Sequence, residues 1–214
     1  MQSGRYFNMT DTFSNGVNPI TVLFFGPQGA GKGTQVNLLM DVLKKRSERG
    51  IIHIDMGQLL RNMIAAGSYT GKLTNEIVGV GKRMPDFMPI YLTTDALAKQ
   101  FTGSEHIIAD GLARGPDQTR GWDDAMVFYK RSDFHIIALE LSEEESIKRL
   151  VKRGRSDDTE DAIKQRLSWH KAEVEPQLEF LKSRGRTIHR IDGAPDIETV
   201  HKNILTALGL QKDS

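Results

Sequence analysis

The sequence predicts an α/β fold, a five-stranded parallel sheet with helices on both faces. Three observations carry that reading. Five short runs rich in Ile, Val and Phe recur along the 214 residues: ITVLFFG (20–26), GIIHI (50–54), HIIAD (106–110), HIIALEL (135–141) and TIHRID (187–192). Continuous apolar runs of this length suit strands buried on both faces. Longer segments with helical spacing separate them, and alternating strand and helix is the order of a parallel sheet. Between the first run and the first helix lies a glycine-rich turn, FFGPQGAGKGTQ (24–35), the strand–turn–helix context in which main-chain N–H groups cradle phosphate.

The elements follow in order. The opening MQSGRYFNMTDTFSNGVNP lacks the basic-then-apolar order of a secretory signal and reads as a flexible tail, 1–18, ahead of one domain, 19–210. After the glycine turn, GTQVNLLMDVLKKRSE sets Val36, Leu39, Met40 and Leu43 on one helical side. Residues 56–102 hold helical segments and no strand, too much for one crossover. Part of this stretch, about 55–88, is therefore expected to form a small helical flap. KRGRSDDTED (152–161) is a short charged turn between two helices, expected to overhang the rim of the sheet. The remainder, 19–54, 103–151 and 162–210, forms the core. LSWHKAEVEPQLEFLKSRG (167–185) continues the helix after that charged turn, with Pro176 permitting a bend and Trp169 and Leu178 facing the core. The final QKDS is expected to fray. Right-handed crossovers put the C-terminal ends of all strands on one rim, where ligands of such sheets bind.

Composition removes several classes of partner. Net charge is +1, so neither nucleic acid nor an anionic membrane is attracted in general, and anion recognition must be local. No run is long and apolar enough to cross a bilayer. The absence of cysteine excludes disulfides and thiolate metal sites and fits a reducing cytoplasm. Six scattered histidines offer no structural zinc set. His53, His106, His135 and His189 fall on strands and read as packed or surface residues.

The glycine turn carries the chemistry. Main-chain N–H groups of Gly29, Ala30, Gly31, Lys32, Gly33 and Thr34 would face one cavity, with the positive end of the next helix behind them. Lys32 would neutralise the outer phosphates of a nucleoside triphosphate. Gly33 stands where many such loops place a magnesium-binding hydroxyl. Magnesium keeps several waters, so the substrate phosphates and an outer-sphere carboxylate can hold it. Asp110, ending the third run, is the candidate.

GPQGAGKGTQ (26–35) resembles the signature GPxGxGKGTQ of the adenylate kinase and nucleoside monophosphate kinase family. The likeness spans about residues 20–209. HIDMGQLLR (53–61) is similar to the family's HISTGDLLR, GKLTNEIVGVGKRMPD (71–86) to its segment ending GKLVPD, and DGLAR with Gln118 to DGFPR…Q. RLVKRGRSDD and IKQRL (149–158, 163–167) are similar to the lid and its flanks. The resemblance implies a P-loop kinase fold with a nucleoside monophosphate-binding (NMP) flap and a short lid, working as a cytoplasmic monomer on ATP and AMP with Mg2+. It implies acceptor contacts from Met56, Gly57, Arg61, Arg83, Met84, Gly111, Arg114 and Gln118. It implies ATP contacts from the loop with Arg149 and Arg153, and catalytic roles for Lys32, Arg114, Arg155 and Arg166. DGAPD (192–196) takes the family's place for contacts to the ATP base, and Asp157 and Asp158 are expected to tether the lid or cap a helix.

The chemistry agrees with that inventory. Phosphoryl transfer between two polyanions needs charge neutralisation, alignment and exclusion of water more than a base, and arginine forks suit phosphate oxygens. Taken alone, Arg149 and Arg153 beside Glu143–Glu145 read more readily as surface ion pairs. Their position between the fourth strand and the lid, with Arg155 and Arg166 following, favours the phosphate role.

The chain departs from the family at Met56, where a threonine is usual, and at Leu112 and Ala113, in place of an aromatic and a proline. The second change is expected to loosen the loop beside Arg114. Gln118 favours adenine, while DQTRGWDDAM (117–126) also resembles the uridylate–cytidylate group. A pyrimidine monophosphate kinase, a nucleotide binder that transfers no phosphate, and a plain ATPase are the rival readings.

Overall fold

The structure, a computed structural model, describes residues 17–153 and 159–211, apart from the side chains of Trp169 and Lys171. The tail 1–16, the lid residues 154–158 with Arg155, Asp157 and Asp158, and the end of QKDS lie outside the described residues. β1 (Thr21–Phe25) is buried along its whole length. Its side chains alternate, Leu23 and Phe25 packing into one core cluster and Val22 and Phe24 into the other. Both sheet faces are therefore covered, which is why the run shows no polar alternation.

β1 is followed by α1 (Lys32–Arg46), β2 (Ile51–Asp55), α2 (Met56–Ala65), α3 (Tyr69–Val78), α4 (Phe87–Gln100) and β3 (His106–Asp110). Then come α5 (Pro116–Phe128), β4 (His135–Glu140), α6 (Glu143–Arg153), α7 (Glu160–Ser183), β5 (Thr187–Asp192) and α8 (Ile197–Ala207). The five strands are all parallel in the order β2-β3-β1-β4-β5. The expected sheet is the observed one.

α1 and α8 cover one face through Val36, Leu39, Leu43, Val200 and Ile204. α4, α5 and α7 cover the other through Leu97, Trp122, Met126, Leu178 and Leu181. Leu178 is a core residue as expected, and Pro176 lies inside α7. His53, His106, His135 and His189 all lie on strands, and among the described residues no group of three or more His, Cys, Asp or Glu is placed to hold a metal.

Some boundaries differ from the sequence reading. Ile20 and Gly26 flank β1, and Leu141 lies past the end of β4. β2 extends to Asp55, whose Oδ1 accepts the Gln58 main-chain N–H at 2.9 Å and caps α2 with no intervening loop. Val17, inside the stretch expected to form the tail, packs against the core. The cap of α7 is Thr159, which accepts the Ala162 N–H, and not an aspartate.

Strand order reverses at β1. Its chain neighbour β2 lies beyond β3 on one side, and β4 pairs with it on the other. The crevice at the carboxyl end of β1 is the switch point at which ligands of such sheets sit, and the glycine turn opens into it.

Candidate active site

A cleft of about 890 Å³ occupies this switch point. Its floor is the turn from Gln28 to Gln35. Gly29 and Gly31 hold positive φ of 85° and 88°, which glycine adopts without steric cost. A Cβ on Gly29 would also stand 2.9 Å from Ser146 O on α6, so the turn packs directly on that helix. Gly33 is different: a Cβ there meets nothing within 4 Å. Space does not forbid a side chain at this position.

Lys32 begins α1 and reaches back, its Nζ donating to Gly26 O at 2.7 Å and Pro27 O at 3.0 Å. Burial lowers its pKa to about 8. The carboxylates of Asp110 and Asp55 oppose that shift, while Arg114 and Arg153 add to it. Asp110 ends β3 and faces the same charges. Burial pushes its carboxyl up, against Lys32 and Arg114, and the neighbouring Asp55 pushes it further. Asp110 Oδ1 is buried and has no hydrogen-bond partner among the described residues. A water from the shell of a hydrated divalent cation is the partner such an atom accepts, and no hydroxyl from position 33 is required. The residues present fit such an ion.

One end of the cleft is built by α2, the segment after α3 and the rim of β3. Arg61 on α2 donates to Gln58 Oε1 at 2.9 Å and lies 3.8 Å from Asp55 Oδ2. Met56 and Met84 are buried and line the wall. Gly111, with φ 77°, would place a Cβ 3.3 Å from Arg114 Nη2. The loop beside Arg114 is anchored rather than loose, contrary to the sequence expectation. Leu112 and Ala113 are core residues, and Thr119 Oγ1 donates to Ala113 O at 3.2 Å. Gln118 Oε1 accepts the Arg114 N–H at 3.3 Å, leaving one N–H and one lone pair of the amide uncommitted by these bonds once Asp86 is counted.

The other end lies under α6 and α7. Arg149 pairs with Glu145 at 2.9 Å and also donates to Gly193 O and Ala194 O at 2.9 and 3.0 Å. It therefore makes the surface ion pair and still lines the cleft, pinning the turn of DGAPD. Asp196 of that turn caps α8. Arg153 also lines the cleft. Arg166, buried on α7, donates to Gln28 Oε1 at 3.3 Å and to Val78 O at the end of α3 at 3.2 Å. Burial lowers the pKa of Arg114, with Asp110 opposing the shift and Arg166 adding to it.

Each residue given a binding, catalytic or metal role by number lies on this one cleft except Arg155, which is outside the described residues. Residues 24–186 match the family described as Adenylate kinase. A protein of that name from Prochlorococcus marinus (strain NATL1A) is 32% identical over 188 residues, covering 88% of this chain and 98% of its own. One from Thermus thermophilus is 31% identical over 193 residues, covering 88% and 97%, and one from Maricaulis maris (strain MCS10) is 32% identical over 195 residues, covering 88% and 98%.

The chain belongs to the adenylate kinase family. It is thus a nucleotide-binding phosphotransferase, and the P-loop fold expected from the resemblance is the one observed. Among the described residues no helix is long and apolar enough to cross a membrane.

Four contacts of the site are not evident from the family resemblance. These are the Asp55 cap opposite Arg61, Gln28 as partner of Arg166, Asp86 behind Gln118, and Glu173 against Arg83. Asp55 and Asp86 each carried a local signal, an aspartate at the start of a helical run, but Asp86 makes no cap bond and its signal points away from its use in the site.

Proposed function

We propose that this adenylate kinase family member catalyses MgATP + AMP ⇌ 2 ADP in the cytoplasm, as a monomer. The observation that carries this reading is the juxtaposition on one cleft of a phosphate turn with Lys32 and an acceptor set of Arg61, Arg114 and Gln118. A plain ATPase has no use for the second set.

In this reading Gly29 to Thr34 and Lys32 hold the donor phosphates, and Arg149, Arg153 and the 193–196 turn hold the rest of ATP. Arg61, Arg83 and Arg114 grip the acceptor phosphate. Met56, Gly57, Met84, Gly111 and Gln118 enclose its base. Mg2+, when bound on the ATP phosphates with Asp110 meeting its waters, supplies charge neutralisation. An AMP phosphate oxygen attacks the γ-phosphorus as the bond to the β-bridging oxygen breaks. That oxygen leaves on ADP, and no side chain takes a proton. Arg155, Arg166 and Lys32 neutralise the charge on the transferring group. The flap (55–88) and lid (152–161) close to exclude water.

The test is a set of initial rates with ATP and each of AMP, CMP, UMP and GMP. AMP is expected to give the highest kcat/KM. Arg166→Ala is expected to lower kcat about a hundredfold, as does the loss of other charge-stabilising donors. A higher efficiency with a pyrimidine, or equal ADP formation by the native protein and Lys32→Ala, would overturn the assignment.

A further inference from the structure

Gln118 meets the cleft with its amide already committed on one side. Oε1 accepts the Arg114 main-chain N–H at 3.3 Å, and Nε2 donates to Asp86 Oδ1 at 2.8 Å. Only one orientation of the amide satisfies both partners, because a main-chain N–H needs the oxygen and a carboxylate needs the nitrogen. Turned over, Oε1 would face the Asp86 carboxylate and Nε2 would face an N–H.

Asp86 itself is in an unusual position. It occupies the N-cap of α4, yet its side chain caps no helical N–H. The carboxylate is drawn away by two donors instead, Gln118 Nε2 and Arg83 Nη1, the latter at 2.5 Å on the same Oδ1. Arg83 is held in turn by Glu173 on α7, Nε to Oε2 at 3.1 Å. Gly115 lets this group close up: a Cβ there would collide with Arg83 Nη1 and stand 3.1 Å from Asp86 Oδ2. Gln118 and Arg83 line the cleft and Asp86 does not. It acts from behind.

The polarity of the amide decides what it can read. A 6-aminopurine offers a donor at N6 beside an acceptor at N1. A 6-oxopurine offers the reverse, an acceptor at O6 beside a donor at N1. A glutamine free to turn over would accommodate either. One fixed in place matches one and presents like groups to the other, leaving buried polar atoms unpaired.

We propose that Asp86 is a specificity-determining positioning residue, fixing the Gln118 amide in the polarity that admits a 6-amino base and rejects a 6-oxo base. The proposal rests on the reading that Gln118 faces the acceptor base. Asparagine at 86 has both an oxygen and an NH2 group, so it can keep Arg83 on its oxygen while donating to a reversed Gln118. The long 3.3 Å bond from Arg114 is then the sole remaining restraint of the two.

Binding is the readout, since it does not depend on phosphoryl transfer. Dissociation constants are measured by calorimetry for AMP, IMP and purine riboside 5′-monophosphate, which keeps N1 as acceptor and has no group at C6. For the native protein the expected order of affinity is AMP, then the unsubstituted purine, then IMP, with IMP at least about tenfold below AMP. In Asp86→Asn the AMP:IMP ratio is expected to fall about tenfold and IMP to bind better than the unsubstituted purine. A merely structural role for Asp86 would weaken all three ligands together. Placed on a Gln118→Ala background, Asp86→Asn is expected to leave the ratio unchanged.

A native protein that binds IMP better than the unsubstituted purine has a free amide, and the proposal fails without any variant. It fails equally if the ratio in Asp86→Asn stays within about twofold of native, or shifts as much without Gln118. Failure of the catalytic reading is seen separately, as absence of ADP formation from ATP and AMP by the native protein.

Discussion

Ala113 has φ 53°, one of two non-glycine residues among those described with positive φ. Proline, usual in the family at this place, is locked near −65°, so this backbone and that residue are incompatible. Three terms bear on a glycine here. Relief of left-handed strain is worth roughly 1 kcal/mol. The freer unfolded chain costs about 0.4–1 kcal/mol, and loss of a buried methyl costs about 0.8 kcal/mol. Ala113→Gly is therefore expected to move the urea midpoint little, to within about 1 kcal/mol. Ala113→Pro is expected to destabilise by roughly 2–3 kcal/mol and to raise the KM for the acceptor, because Arg114 is the next residue. Equal midpoints for the two variants would show that the loop does not hold this conformation.

At the scale of elements, the ties between strands set a pH dependence. His106 opens β3 and is buried, and its Nδ1 accepts the Ile20 N–H at 3.1 Å just ahead of β1. The neutral ring thus carries its proton on Nε2. Burial lowers its pKa to about 4, with Arg49 and Arg131 adding to the shift. The unfolded chain binds a proton near pH 6.5, so between there and pH 4 it holds more protons than the fold. Stability falls as the pH drops through this window, by about 1.4 kcal/mol per pH unit for this residue. His106→Asn, whose Oδ1 can take the same N–H, is expected to flatten the slope of stability against pH by about one proton. An unchanged slope would remove His106 from the account.

The same scale shows how much of the fold was legible in the sequence. The five strands and their helices could be read because both sheet faces are buried and the runs stay apolar. Their ends could not, since Asp55 continues β2 while capping α2. The cleft was legible wherever its residues sit in local motifs, such as Lys32, Arg61 and Arg114. Asp86 was not, because its local signal is that of a helix cap. Its use by Arg83 and Gln118 exists only once α4 meets the rim of β3. Gln28 and Arg166 likewise meet across 138 positions of chain.

Over the whole molecule, the cleft is an arrangement that costs stability until a polyanion fills it. Lys32 has a folded pKa of about 8 against 10.5 for the free side chain, chiefly through burial. A lysine with a lowered pKa favours its neutral form in the fold. The unliganded protein therefore gains stability as pH rises from about 8 to 10.5, and below pH 8 it carries the full penalty, roughly 3 kcal/mol.

Bound phosphates reverse the preference. Nucleotide binding is expected to take up about half a proton at pH 8 and more at pH 9, where phosphate's own last ionisation is complete. Calorimetry in two buffers of different ionisation enthalpy measures this uptake. Lys32→Met removes the desolvated charge but leaves Gly26 O without its side-chain donor, while Pro27 O keeps the Ala30 main-chain N–H at 3.2 Å. The balance is a gain of roughly 2 kcal/mol for the unliganded variant at pH 7. In return the variant should lose the stabilisation that nucleotide gives the native protein, about 2.7 kcal/mol at a ligand concentration a hundredfold above Kd. Urea midpoints with and without ADP read both effects. A variant less stable than native in the absence of nucleotide, and taking up no fewer protons in its presence, would mean that the lysine is not the buried charge on which the cleft depends.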